Sequence, residues 1–167
     1  MSAETELDPG RALRRSMGCF ATGVTIVTAP NTDGPPVGMT VSSFNSVSIE
    51  PPLVLFSIAR TARSLADLER AETYAVNVLS SAHVDLSNRF ARAGEDKWDG
   101  VEFVLGEGGV PIFDDAVGSF DCVPYATYDG GDHLIFVGEV VRHRSADHLE
   151  PLLFYRGGYH LATPHTS

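Results

Sequence analysis

Cysteine is nearly absent: Cys19 and Cys122 are the only two, and neither has a cysteine or histidine partner at metal-ligand spacing. A disulfide framework and a zinc site are therefore not expected, and two free thiols in a reducing cytoplasm are. The histidines His83, His143, His148, His160 and His165 show no ligand spacing either, so no metal is assigned. Long apolar runs are also missing. No stretch approaches the roughly 18 residues that a membrane helix needs. The opening MSAETELDPGRALRR lacks an apolar stretch behind a basic start, so neither a secretory signal nor a membrane span is expected and the cytoplasm is the expected location. Basic residues are scarce, 12 against 22 acidic ones, with a formal net charge of -10. Such a surface repels phosphate backbones and disfavours nucleic acid as a partner. Neither G-x-G-x-x-G nor G-x-x-x-x-G-K-[ST] occurs, so a Rossmann or P-loop site has no support, and no G-x-S-x-G elbow is present.

What is present is a strand-rich chain. At 167 residues and 43% hydrophobic content it fits one domain with a proper core. A tail over 1–12, a single domain over 13–162 and a short tail over 163–167 are expected. Asp8-Pro9 reads as a helix start, with Leu13, Met17 and Phe20 at helical spacing behind it. VTIVTA (24–29), Val37 to Val41, LVLFSI (53–58) and YAVNVL (74–79) read as strands, and the polar run SSFNSVS reads as a linker. Short helices are expected at 64–71 and 81–93, and mostly loop over 94–115. Ala116 to Tyr128 and Asp132 to His143 read as a strand pair turning at Asp129-Gly130-Gly131. Six or seven strands result. They do not alternate with crossover helices, so an antiparallel, mainly β barrel with peripheral helices is expected.

Two segments carry candidate chemistry. In GMTVSSFNSVSIEPPLVLFSIARTARS (38–64), Thr40, Ser42, Ser43, Asn45, Ser46 and Ser48 crowd small donors between apolar strands. Small hydroxyls and nearby backbone N–H groups suit phosphate and ring-edge binding, although a plain serine-rich loop has the same composition. Arg60 and Arg63 follow, with Ser64 at the start of a helix that it is placed to cap. An arginine beside a helix start is the local positive group an anion would need on an acidic protein. The second segment is Gly130-Gly131-Asp132-His133, where a tight turn presents a histidine at a strand end. A lone histidine there also reads as simply exposed.

These segments, taken in order, resemble the flavin reductase-like family, the reductase components of two-component flavin monooxygenases. FATGVTIVTA (20–29), GMTVSSFNSVSIEPPLVLFSI, YAVNVL with LSNRFA (86–91), GGDHLIFVGEV (130–140) and LLFYRGGYH (152–160) carry the resemblance, from about Arg14 to Leu161. The resemblance implies an FMN-binding split β-barrel, antiparallel and Greek-key-like, that forms a homodimer. It implies FMN or FAD along Thr40, Val41, Ser42, Ser43, Asn45, Ser46 and Val47 and along Ser57, Ile58, Ala59, Arg60, Arg63 and Ser64. Ser42, Ser43 and Arg63 would take the phosphate end, helped by Arg60. Arg89 and Phe90 match a helix that approaches the flavin or the dimer partner. His133 with Asp132 matches the position associated with NADH or NADPH, and Tyr159 and Arg156 lie in the closing segment beside it. The sequence distance between the two segments suggests opposite walls of one cleft. No proton-transferring side chain is implied, because the two cofactors carry the chemistry. The implied activity is NAD(P)H:flavin reduction feeding a partner monooxygenase. Two alternatives stay open: a flavoenzyme that keeps its flavin and acts on another small molecule, and a non-catalytic flavin-binding module.

Overall fold

A computed structural model describes residues 8–94 and 96–165. The first helix, α1 (Pro9–Met17), opens as the sequence predicts: the Asp8 carboxylate accepts the Arg11 N–H at 3.3 Å and Pro9 sits in the first turn. Its apolar residues meet no core. No residue of α1 is buried, and Leu13, Met17 and the following Phe20 are all exposed.

Among the described residues twelve strands follow, three of them only two residues long. They are β1 (Thr22–Gly23), β2 (Thr25–Ala29), β3 (Val37–Val41), β4 (Asn45–Ile49) and β5 (Pro52–Ala59), then α2 (Leu65–Arg70), β6 (Tyr74–Val78) and α3 (Val84–Ala91). After these come β7 (Val104–Leu105), β8 (Pro111–Ile112), β9 (Gly118–Gly130), β10 (His133–Ser145), β11 (Leu152–Tyr155) and β12 (Gly158–Leu161). Seven of them form one antiparallel sheet in the order β3-β2-β6-β9-β10-β5-β4. No ladder joins the outer strands β3 and β4, so the sheet curls without closing. Ser43, in the link between those strands, draws its ends together. Its Oγ accepts the Ser57 N–H at 2.9 Å and donates to the Ser57 carbonyl at 3.2 Å. The result is the split, mainly β architecture expected from the sequence. A small sheet β1-β11-β12 and the pair β7-β8 lie beside it.

The interior follows from strand alternation. Val27, Phe56, Ile58, Tyr74, Val76 and Phe136 point inward and bury one another, with Phe56 stacked on Phe136 at 5.3 Å and edge-on to Tyr74 at 5.2 Å. Burial here pushes the Cys122 thiol up to about 12 and raises the Tyr74 hydroxyl as well. A second cluster under α3 gathers Ile26, Leu79, Phe90, Phe113 and Leu152.

Four expectations shift. The polar run read as a linker holds a bend at Ser42–Phe44 and then an edge strand, β4, because Val47 and Ile49 suit a pleated edge that polar composition hid. Residues 94–115 contain the short pair β7-β8. The helices shorten to six and eight residues. The hairpin turn lies at Gly131-Asp132, because Asp129 and Gly130 still pair with Leu134 and His133; Gly131 takes the left-handed φ of 76° that the turn requires.

Candidate functional site

Strand register builds the centre of the site. Along β5 the side chains of Phe56 and Ile58 are buried, and those of Ser57 and Ala59 emerge half-buried on the opposite face. Cross-strand partners in an antiparallel pair share a face. Ala59 is paired with His133, Ser57 with Ile135, and Leu55 with Asn45 of β4. His133, Ser57, Ala59 and Asn45 therefore occupy one face of three adjacent strands. The expected opposite walls are a single wall, since β10 lies directly against β5.

The turn that carries His133 is tied down. The His133 ring Nδ1 meets the Asp132 carboxylate at 2.6 Å, and that hydrogen bond holds the Asp132 carboxyl below the usual carboxylate range. Arg60, the first residue after β5, gives its backbone N–H to the Asp132 carbonyl at 2.9 Å and its Nε–H to the Gly131 carbonyl at 2.8 Å. Its guanidinium also pairs with Asp129, whose carboxyl it likewise depresses.

A cleft of about 680 Å³ opens where β5 ends. Its volume falls in the range of about 300–1,000 Å³ usual for small-molecule sites. Arg63 and Ser64 line it from the β5–α2 link, Gly38 and Met39 from β3, and Arg92 and Lys97 from the segment after α3. Arg63 makes no ion pair among the described residues. Lys97 Nζ lies 3.3 Å from the Gly38 carbonyl and 3.4 Å from that of Phe90, leaving a third ammonium hydrogen for a ligand. Partial burial lowers the Lys97 pKa, so a bound anion is what would stabilise its charge. Among the described residues the one acid on the lining, Asp67, pairs with Arg70 at 2.5 Å. Gly38 sets the wall: a Cβ there would fall 2.3 Å from the Phe90 ring.

The other expected residues divide by what their side chains already do. Ser42 is exposed and makes no side-chain hydrogen bond among the described residues, whereas Ser43 spends its proton on Ser57. Thr40 Oγ1 donates to the Ser87 carbonyl at 2.7 Å. Val41 and Ile58 are buried and offer only backbone; Ser46 and Val47 are exposed on β4. Ser64 precedes α2 but makes no side-chain cap. Phe90 is fully buried against Trp98 and Phe113. Tyr159 hydroxyl bonds to Ser87 Oγ at 2.8 Å and Asn88 Oδ1 at 3.1 Å, which pins the closing hairpin to α3. Arg156 sits at the β11–β12 turn with its N–H on the Gly18 carbonyl and its guanidinium 5.2 Å from the Tyr155 ring.

Arg89 points elsewhere. It donates to the Asp99 carbonyl at 2.7 Å and lines a second cleft of about 810 Å³ with His83, Asp85, Glu102, Asp114 and Asp115. There His83 Nδ1 accepts the Ser80 N–H at 3.1 Å, which leaves the proton on Nε2 to face Asp115 at 2.9 Å. Sequence reasoning missed Arg92, Lys97 and Trp98. The available signal was that Lys97 is the only lysine and Trp98 the only tryptophan in the chain, adjacent in a segment otherwise rich in acids and glycine.

The flavin reductase like domain model matches residues 17–163. The chain belongs to this family. Among its flavin reductase-like relatives, a probable flavin reductase of Rhizobium meliloti is 44% identical over 159 residues, which is 95% of this chain and 50% of that protein. The chain thus spans about half the length of that relative. A flavin-dependent monooxygenase reductase subunit, HsaB of Rhodococcus jostii, is 40% identical over 94% of this chain and 80% of its own length. The solved NADH:FAD oxidoreductase SgcE6 of Streptomyces globisporus, in complex with NAD and FAD fragments, superposes with a TM-score of 0.89 at 39% identity, covering 96% of this chain and 98% of that one.

Proposed function

We propose that this flavin reductase-like chain is an NAD(P)H:flavin oxidoreductase that reduces FMN or FAD and delivers the reduced flavin to a separate flavin-dependent monooxygenase. One observation carries the reading: register sets His133 beside Ala59 at the end of β5, the strand after which Arg63 and Ser64 line the basic cleft. Two donors on the cleft lining fit a flavin phosphate, the Arg63 guanidinium, which makes no ion pair among the described residues, and the spare hydrogen of Lys97; the Ser42 hydroxyl, without a hydrogen bond among the described residues, lies in the β3–β4 link. Backbone groups at Asn45–Val47 would meet the ring edge, where fixed dipoles stabilise arriving negative charge. His133 orients the nicotinamide dinucleotide. Bound flavin and nicotinamide supply the hydride chemistry themselves. The chain's task is to hold the reacting atoms about 3–3.5 Å apart. HsaB, named as the reductase subunit of a flavin-dependent monooxygenase, supports the choice of partner.

The functional form in this reading is a homodimer. Phe20 on the α1 side and Ile49 on edge strand β4 are 78% and 89% exposed, and apolar side chains so bare favour a covering copy. NADH and NADPH oxidation measured with FMN, FAD and riboflavin tests the activity. Turnover that rises with added free FMN or FAD is expected; stoichiometric flavin without turnover would defeat the reading. Light scattering that reports a fully active monomer would defeat the dimer.

A further inference from the structure

We infer that Arg60 is a positioning residue for nicotinamide dinucleotide binding, acting through His133 by clamping the β9–β10 turn onto the end of β5. The inference rests on the reading of His133 as the nicotinamide contact. Arg60 reaches three successive parts of that turn: the Asp129 carboxylate, the Gly131 carbonyl and, through its own backbone N–H, the Asp132 carbonyl. Asp132 then holds the His133 ring at Nδ1. An unbroken chain of contacts thus runs from the flavin-facing strand to the imidazole. Gly131 has a left-handed φ and a Cβ built there would meet no neighbour within 4 Å, so no side chain packs over that position. Arg60 adds a side-chain restraint at Gly131 to the pairing of Gly130 with His133.

Exposure helps to separate this role from a stabilising one. The Arg60 and Asp129 side chains are 45% and 79% exposed. Exposed ion pairs contribute little to global stability. Loss of the clamp should therefore loosen one turn and leave the melting temperature nearly unchanged. The Arg60 Nε–H and one Nη2–H are engaged by the turn, which leaves Nη1 for other contacts.

The test is a double-mutant cycle on the full chain with Arg60→Ala, His133→Ala and the pair, together with Arg60→Lys. Arg60→Ala should raise the NADH KM about 3- to 10-fold, the worth of a lost charge-assisted contact in a solvated turn. Flavin affinity and kcat should stay within about twofold, and the pair should match His133→Ala alone. Arg60→Lys, which retains the charge opposite Asp129, should recover part of the loss. Flavin affinity that falls while the NADH KM holds would make Arg60 a flavin ligand and overturn the inference. Independent, multiplying effects of Arg60→Ala and His133→Ala would overturn it too, while leaving His133 in place. A silent His133→Ala would remove the reading of His133 and the inference together.

Discussion

Two clefts of similar size flank α3, and they differ in sign. The one of about 680 Å³ gathers Arg63, Arg92 and Lys97 against, among the described residues, a single acid already paired with Arg70. The larger one, about 810 Å³, gathers Asp85, Glu102, Asp114 and Asp115 against Arg89 and His83. Size alone would select the second. A phosphate-bearing ligand entering a protein of net charge -10 selects the first, because only there does the local field oppose the global one. Arg89 and Arg63, equivalent in composition, differ in place: Arg89, on α3, lines the acidic cleft, and Arg63, after the end of β5, lines the basic one.

The strongest way to break the comparison is to remove the partition between the clefts. Phe90 lines the basic cleft and packs against Phe113, which lines the acidic one. Phe90→Ala should destabilise the fold by about 3–5 kcal/mol, read from denaturant midpoints. A loss below about 1 kcal/mol would mean that the site walls do not depend on this packing.

Charge is the next test. Lys97→Ala should weaken flavin binding about 10- to 100-fold, as expected when a charge-assisted bond worth about 1.5–3 kcal/mol is lost. It carries a pH signature. Burial lowers the Lys97 pKa, so the free protein loses this charge at lower pH than an ordinary lysine does. Flavin affinity should fall as pH rises through that lowered value, and Lys97→Ala should abolish the alkaline limb. For the unliganded fold the sign is opposite: between the lowered value and the ordinary one near about 10.4, the unfolded chain binds more protons, so stability rises with pH. Fluorescence titrations across pH, with the variant as control, check both statements.

The smallest effect sharpens the contrast. Asp115→Asn keeps an oxygen for the His83 Nε2–H and should change stability by less than about 1 kcal/mol. Flavin affinity should stay within about twofold of the parent. A large loss of affinity would show that the acidic cleft takes part in binding.

The longer strands other than β4, the α1 cap and the presence of a turn before His133 could be read from the chain, although that turn lies further along than expected. Each depends on local rules: alternation along a strand, aspartate before proline at a helix start, glycine where φ must be positive. The order of motifs was equally plain, and with it the family. Tertiary structure decided what composition could not. It made β4 an edge strand from a run that looked like a loop. It committed the Ser43 proton to Ser57, the Thr40 hydroxyl to Ser87 and part of the Arg60 guanidinium to the His133 turn, and among the described residues it left Ser42 and Arg63 without a side-chain partner and Lys97 with a spare hydrogen. It placed His133 beside Ala59 although more than seventy residues separate them in the chain. The reason is that local rules fix how a segment folds, whereas a donor's availability depends on which distant segment has already taken its hydrogen bond, and only strand register and packing settle that.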